Sequence, residues 1–319
     1  MHLLIDVNEE HQPKWIEKIM AIRNLLTVYF ILTLSCVFGQ GYYDQFKKLH
    51  EDNDTLGEKK LLINWENTNP KDPELFIAYF NYFVTISKHE MIALNSYKPN
   101  ANDTSSLVIT SPKTGKVVGY VNSSTNYNPE TLQKGFDYID KGIKMYPNRL
   151  DMWFGKIYVL GEAQNFAEFT RTIIQTIDLG VTIKNKWVWS GDKPLDDGEN
   201  FFLGSLQDYV LTIYNANDDK LLPYMREIAE EVLKYYPNHV ESLSNASITY
   251  LHDGEIDKAL ALLLRAETVA PKDVVILFNI AESYKRKKDK TNAKIYYNKI
   301  IKVGNKVDIK DAKDLMKDL

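Results

Sequence analysis

Cysteine is nearly absent: the 319 residues hold one, Cys36. A single thiol closes no intrachain disulfide and builds no thiolate metal site. Histidine is scarce as well, at six, and no two have metal-ligand spacing on a helix. His89-Glu90 opens like a zinc-protease motif, but Ala93 stands where the second histidine belongs. No nucleophile elbow, P-loop or dinucleotide fingerprint occurs. Proline (11) and glycine (15) are few, so few long loops are expected. Neither sign of charge dominates, with 39 Lys and Arg against 43 Asp and Glu. No aromatic-interleaved basic stripe marks a nucleic-acid surface. What is present is a composition 44% apolar and 26% charged, ordinary for a globular chain with a core.

The one long run poor in charge spans Asn24 to Gly39, after Lys18 and Arg23. It is shorter than the ~20 apolar residues of a spanning helix. Val37 and Gly39 suit a signal peptidase, with cleavage before Gln40, so the run reads as a secretory signal peptide. The alternative is a buried N-terminal helix. Asp6, Glu9, Glu10 and Glu17 are out of place before such a signal, and Met20-Ala21-Ile22-Arg23 looks like the natural start. Residues 1–39 thus read as a mis-started extension plus signal. Cleavage after Ser35 would instead leave Cys36 for lipidation, the only route by which membrane association is expected.

A 34-residue spacing organises the C-terminal third. Pro237 and Pro271 stand 34 apart with matched residues behind them. After Pro237 come Leu243, Ala246, Ser247 and Tyr250, then Ala259, Leu263 and Ala266; after Pro271 come Leu277, Ile280, Ala281 and Tyr284, then Ala293, Tyr297 and Ile300. Small residues let two helices approach, large ones fill the groove, and a proline stops the second helix. Gly254 and Asp289-Lys290 mark the turns, and Asn305 replaces a third proline.

In this register the segment resembles a tandem tetratricopeptide repeat, over 238–271 and 272–305. The resemblance is weaker upstream. Tyr146-Pro147-Asn148 echoes Tyr236-Pro237-Asn238, Trp153 holds a large position, and Gly135, Ile139 and Gly142 form a second-helix set. Lys156 and Leu160 break the pattern. Pro70 with Phe76, Tyr79 and Phe83 is a further degenerate start. The 90 residues from Pro147 to Pro237 are not a multiple of 34, so an insertion or irregular unit is expected between them. In a helical repeat the 20 tyrosines are packing aromatics with a wet hydroxyl edge.

Helices are expected over most of residues 40–319. The stretch Ser96 to Tyr127 breaks the pattern, and its β-prone runs Leu107–Thr110 and Lys116–Val121 flank a Ser-Pro-Lys-Thr-Gly turn. A β-hairpin near 105–122 is expected, as a surface insertion between repeats or as an arm that docks a partner. A second irregular segment, 180–199, holds Trp187 and Trp189 and the acidic group Asp192, Asp196, Asp197 and Glu199. The acidic group lacks calcium-loop spacing and reads as a solvated loop. The two indoles alternate, so both rings should face one way, either toward a ligand such as a sugar or onto the solenoid. From Lys285 onward twelve Lys or Arg face five Asp, a net +7 that leaves −11 for the rest. That end reads as a solvated basic face, and Asp308–Leu319 as an amphipathic capping helix.

The family resemblance implies that first-helix residues line a concave, partner-binding face: Glu241, Ser244, Asn245 and Ile248, then Val275, Phe278, Asn279 and Glu282. Chaperone-binding members grip a terminal carboxylate there with Lys, Asn and Arg. Ser244, Ile248, Val275 and Glu282 occupy those places, so that clamp is missing. Asn245 and Asn279 suit hydrogen bonds to an extended peptide, with Phe278 as an apolar contact. Asp54-Thr55-Leu56 also resembles a bacterial O-glycosylation acceptor.

The expectation is an all-α solenoid with a small β insertion and a capping helix. It would be exported to the periplasm or envelope of a Gram-negative bacterium and bind a protein or peptide. No catalytic residue, metal, cofactor or nucleic-acid partner is expected. The alternatives are a carbohydrate-binding component of an outer-membrane uptake system, contacting sugar through Trp187 and Trp189, and an enzyme with an unrecognised site.

Overall fold

The computed structural model describes residues 41–95, 107–216 and 218–319. The signal-like run, Cys36 and the start of the Ser96–Tyr127 stretch lie outside them. The chain is a succession of antiparallel helical hairpins. Helix α1 (41–51) leads to α2 (Thr55–Thr68). Helices α3 (Pro73–Ser87) and α4 (Pro129–Met145) pair although a β-sheet separates them in sequence. Then follow α5 (Leu150–Glu162) with α6 (Phe166–Thr182), and α7 (Gly198–Asn215) with α8 (Leu222–Tyr235). The last pairs are α9 (Val240–His252) with α10 (Ile256–Val269) and α11 (Val274–Arg286) with α12 (Lys290–Val303), closed by α13 (Lys306–Lys317).

Short polar side chains set most of the helix starts. Asp72, Asn128, Asn165, Asp273 and Asp289 each accept a hydrogen bond from a backbone N–H of the first turn they precede. Asn305 has a similar reason for replacing the expected proline. Its side chain accepts from Val307 and Asp308, while Asp308 answers its backbone N–H in a capping box that starts α13. The intrarepeat turn also recurs in register: Gln164, Gly254 and Lys288 all hold positive φ, at 56°, 78° and 62°. Each lies 17 residues past a proline of the series Pro147, Pro237 and Pro271.

The repeat positions fill the core as their sizes require. Leu243, Ala246, Ser247, Ala259, Leu263, Ala266, Leu277, Ile280, Ala281, Ala293, Tyr297 and Ile300 are all fully buried. Ala312 of α13 joins the same cluster, which makes α13 the cap of the solenoid. In the α3–α4 pair the approach is closer still. A Cβ at Gly142 would lie 2.9 Å from the Phe76 Cβ, and one at Gly135 would lie 3.2 Å from the Phe83 Cβ.

Two details differ from the sequence reading. The β insertion has three strands, β1 (Lys88–Asn95), β2 (Leu107–Thr110) and β3 (Val117–Tyr127), ordered β1-β3-β2 and antiparallel. Lys88–Asn95 carries no breaker and continues the helical pattern of α3. Pairing along β3, from Lys88 with Tyr127 to Asn95 with Tyr120, draws it into the sheet. The insertion also lies within one hairpin, at the turn from α3 to α4, and not between repeats. The irregular unit expected in the 90 residues between Pro147 and Pro237 is present: they hold two helical pairs and, between these, a small hairpin, β4 (Val188–Trp189) with β5 (Lys193–Pro194).

Arg149 pins that hairpin to the N-terminal helices. It is 1% exposed and precedes α5. Its Nη2 donates to Glu74 Oε1 of α3 at 2.9 Å, and Nε and Nη2 together grip Asp151 at 2.9 and 2.8 Å. Glu74 Oε1 also accepts from the Gly191 N–H at 2.8 Å, so α3, α5 and the β4–β5 turn share one buried ion pair. Burial alone would favour a neutral arginine, but the carboxylates of Asp151 and Glu74 outweigh it and hold Arg149 charged. Removing one partner strands the others. Arg149→Leu is expected to cost about 3–5 kcal/mol, against about 0–1 kcal/mol for Lys299→Leu in the more exposed pair with Glu267. Urea unfolding midpoints of the two variants check this.

Candidate functional site

Helices α7, α9 and α11 lie successively along one face of the solenoid. Between them opens a pocket of about 410 Å³, within the size range of ligand sites. From α9 it is lined by Val240, Glu241, Ser244, Asn245 and Ile248, and from Asp273 and α11 by Asp273, Val275, Ile276 and Asn279. Six of the eight expected concave-face residues are therefore brought together.

The other two are not. Phe278 is half-buried and packs edge-on against Tyr297 at 6.5 Å. It lies one residue, about 100° of helix rotation, from Asn279 and faces the core of its own repeat. Glu282 pairs with Arg286 at 3.0 Å, outside the lining.

The asparagines are partly committed to the solenoid. Asn245 Nδ2 donates to Gln207 Oε1 of α7 at 2.8 Å, and Asn279 Nδ2 donates to Ser244 Oγ at 3.3 Å. These bonds link α7 to α9 and α9 to α11 across the floor. Asn245 is only 6% exposed, so it is chiefly a strut; Asn279 is more open. Each bond uses one N–H of the amide and leaves further polar capacity. Val275, 62% exposed, forms the open apolar wall.

Met225 of α8 and, from α7, Gln207, Val210, Leu211 and Tyr214 complete the pocket. The sequence reading missed the α7 residues because no repeat register reached that helix. Their spacing of three, four and seven residues nevertheless puts them on one helix face.

Among the described residues no Lys or Arg lines the pocket, whereas Glu241 and Asp273 do. The Asp273 carboxylate accepts from the Val275 and Ile276 N–H groups at 2.9 and 3.2 Å. Glu241 stands 3.3 Å from His239 Nε2. His239 starts α9, and its Nδ1 accepts from the Ser242 N–H at 3.3 Å. Neutral imidazole with its proton on Nε2 satisfies both neighbours. Burial pushes the His239 pKa below the ordinary histidine value, and Glu241 only partly offsets it.

The indoles at 187 and 189 do not form a ligand platform. Trp187 is 1% exposed and packs on Phe202 at 5.5 Å. Trp189 is half-buried, edge-on to Phe154 at 6.1 Å and to Phe201 at 5.6 Å. The alternation sends both rings inward because α5 and α7 offer phenylalanines there. The acidic group of the same segment diverges: Asp192 faces Arg149, Asp197 accepts from Asn200, and Glu199 accepts from Asn185.

Residues 274–303, the α11–α12 hairpin, match the family model of the tetratricopeptide repeat. The chain therefore carries at least one repeat of that class. Among solved structures it is similar to YrrB, described as a tetratricopeptide-repeat protein with an unusual peptide-binding site. The TM-score is 0.39 and the identity 13%, over 79% of this chain and 97% of that one. It is similar also to the TPR2AB domain of yeast Sti1 in complex with pHSP90, with a TM-score of 0.31 and 10% identity over 88% and 98% of the two chains. The tetratricopeptide-repeat domain of P58(IPK) gives 0.30 and 11%, over 93% and 70%. Likeness at this level carries no functional argument. A search of curated protein sequences returned no match.

Because the folded pKa of His239 is depressed, its contribution to stability is complete above the ordinary histidine pKa of about 6.5. It is lost as pH falls through the lower folded value. The wild type is expected to lose stability toward pH 5, and His239→Asn, which keeps a capping acceptor, to lose less. Thermal midpoints of the two proteins at pH 7.5 and 5 check this.

Proposed function

We propose that the chain is an exported, non-enzymatic scaffold that holds an extended peptide of a partner protein in the α7–α9–α11 pocket. The observation that carries the reading is the pocket itself: an apolar wall above a floor of amides, built from helices of successive hairpins. A peptide backbone needs alternating donors and acceptors, which Asn279, Ser244 and Gln207 offer. The apolar run 24–39 supports export, in the periplasm or envelope of a Gram-negative bacterium, with Cys36 the candidate lipid site.

The lining also selects. A terminal carboxylate would meet Glu241 and Asp273 and no cation, so carboxylate capture is disfavoured. An aliphatic side chain against Val275, next to a Lys or Arg facing Glu241, is the complementary peptide. The sugar reading loses its platform with Trp187 in the core.

Screening the purified full chain against an array of internal decapeptides tests this. Peptides pairing an aliphatic residue with an adjacent Lys or Arg should be enriched. For such a peptide, Asn279→Ala should weaken binding by about 1–2 kcal/mol, roughly 5- to 30-fold. Glu241→Lys should reverse the preference for basic peptides. A flat array, or enrichment for free carboxy-termini, would sink the proposal.

A further inference from the structure

The β-sheet between α3 and α4 is unlike the rest of the molecule. Strand β3 spans eleven residues, roughly 36 Å of extended chain. Its root pairs with β1 and its outer part with β2, so the sheet is a long arm. Residues paired across antiparallel strands share a face. Leu94 and Leu107 both pair with Val121 and form a row across all three strands. Ile92 and Ile109 flank that row on the same face. Ile92 is 81% exposed, and Leu94 and Leu107 are 71% exposed.

An antiparallel sheet in water ordinarily packs one face on a core. Here neither face of the arm is packed on a core: on the opposite face Met91, Val108 and Val118 are 53%, 55% and 58% exposed, and the face of Ile92, Leu94 and Leu107 is the more aliphatic and the more exposed of the two. It presents on the order of 500 Å² of apolar surface, the upper range of what a monomer leaves uncovered. Two such faces together reach the ~1,000 Å² that a biological interface must clear.

We propose that this face is a dimerisation surface, on which the row Leu94–Val121–Leu107 packs against the same row of a second copy of the chain. The row carries no charge, so a two-fold arrangement brings no like charges together. The nearest charged residues on the face, Glu90 and Lys88, lie toward the root and have opposite signs. A bilayer is the poorer occupant. The turn at the far end carries Lys113 and Lys116, which would have to enter the membrane ahead of the apolar residues.

Sedimentation equilibrium of the full chain from about 1 to about 100 µM tests the proposal. The wild type should be a dimer. Ile92→Lys with Leu94→Lys should weaken association at least ~100-fold. Met91→Lys with Val108→Lys, on the opposite face, should leave it intact. Circular dichroism should show the same helix content in all three. In a Cys36→Ser background, Leu94→Cys should be cross-linked between copies by a bis-maleimide and Val108→Cys should not, a readout independent of the lysine variants' folding. A monomeric wild type, equal loss from both faces, or equal cross-linking at both cysteines would overturn the proposal. So would a monomer that binds phosphatidylglycerol vesicles through the arm.

Discussion

The solenoid depends on helix backbones meeting where there is little room for a side chain. At Ala246, Ala259, Ala281 and Ala293 the second helix of a hairpin crosses the first or the next, and each methyl is fully buried. At Gly142 even a methyl would overlap Phe76. Close crossing brings the flanking large residues into the grooves between helices and fixes the angle of each hairpin. The stacking of hairpins then follows, and with it the alignment of α7, α9 and α11 that opens the pocket. The pocket is thus a consequence of the alanines lying behind it.

The repeats from 238 to 305 were legible in the sequence because each position there is filled by size and little else. The upstream pairs follow the same architecture with other devices. Lys156 breaks the pattern in α5, yet it is buried, with its ammonium 2.7 Å from Asp140 of α4. Its stem fills the place of an aliphatic side chain while the charge finds a partner at the edge. Such a substitution hides a repeat from any reading based on apolar spacing. The first strand was hidden for another reason. Lys88–Asn95 has no local preference strong enough to leave the helix, and only its distant partner β3 decides its state.

The candidate site was half legible. Positions carried from the repeat pattern put Glu241, Ser244, Asn245, Ile248, Val275 and Asn279 on the helix faces that line one pocket, because helix geometry is rigid once the register is known. It did not say which polar groups were already engaged. Asn245 spends part of its amide on Gln207, a residue 38 positions away whose helix had no assigned register. Trp187 and Trp189 show the same limit. Alternation told which way the rings point relative to each other, and only the phenylalanines of α5 and α7 decided that the direction was inward.

Where the arm is inserted has a consequence for how the chain tolerates change. It leaves the solenoid at a turn whose two ends are already held together by α3 and α4. Lengthening a closed loop costs entropy only logarithmically, so a connection of some forty residues burdens the hairpin little more than a short one. The arm and the helices can therefore vary independently. The arm could be shortened, replaced or grafted at the same turn of another such hairpin while the helices keep their packing. In modular terms, the α3–α4 turn is a socket.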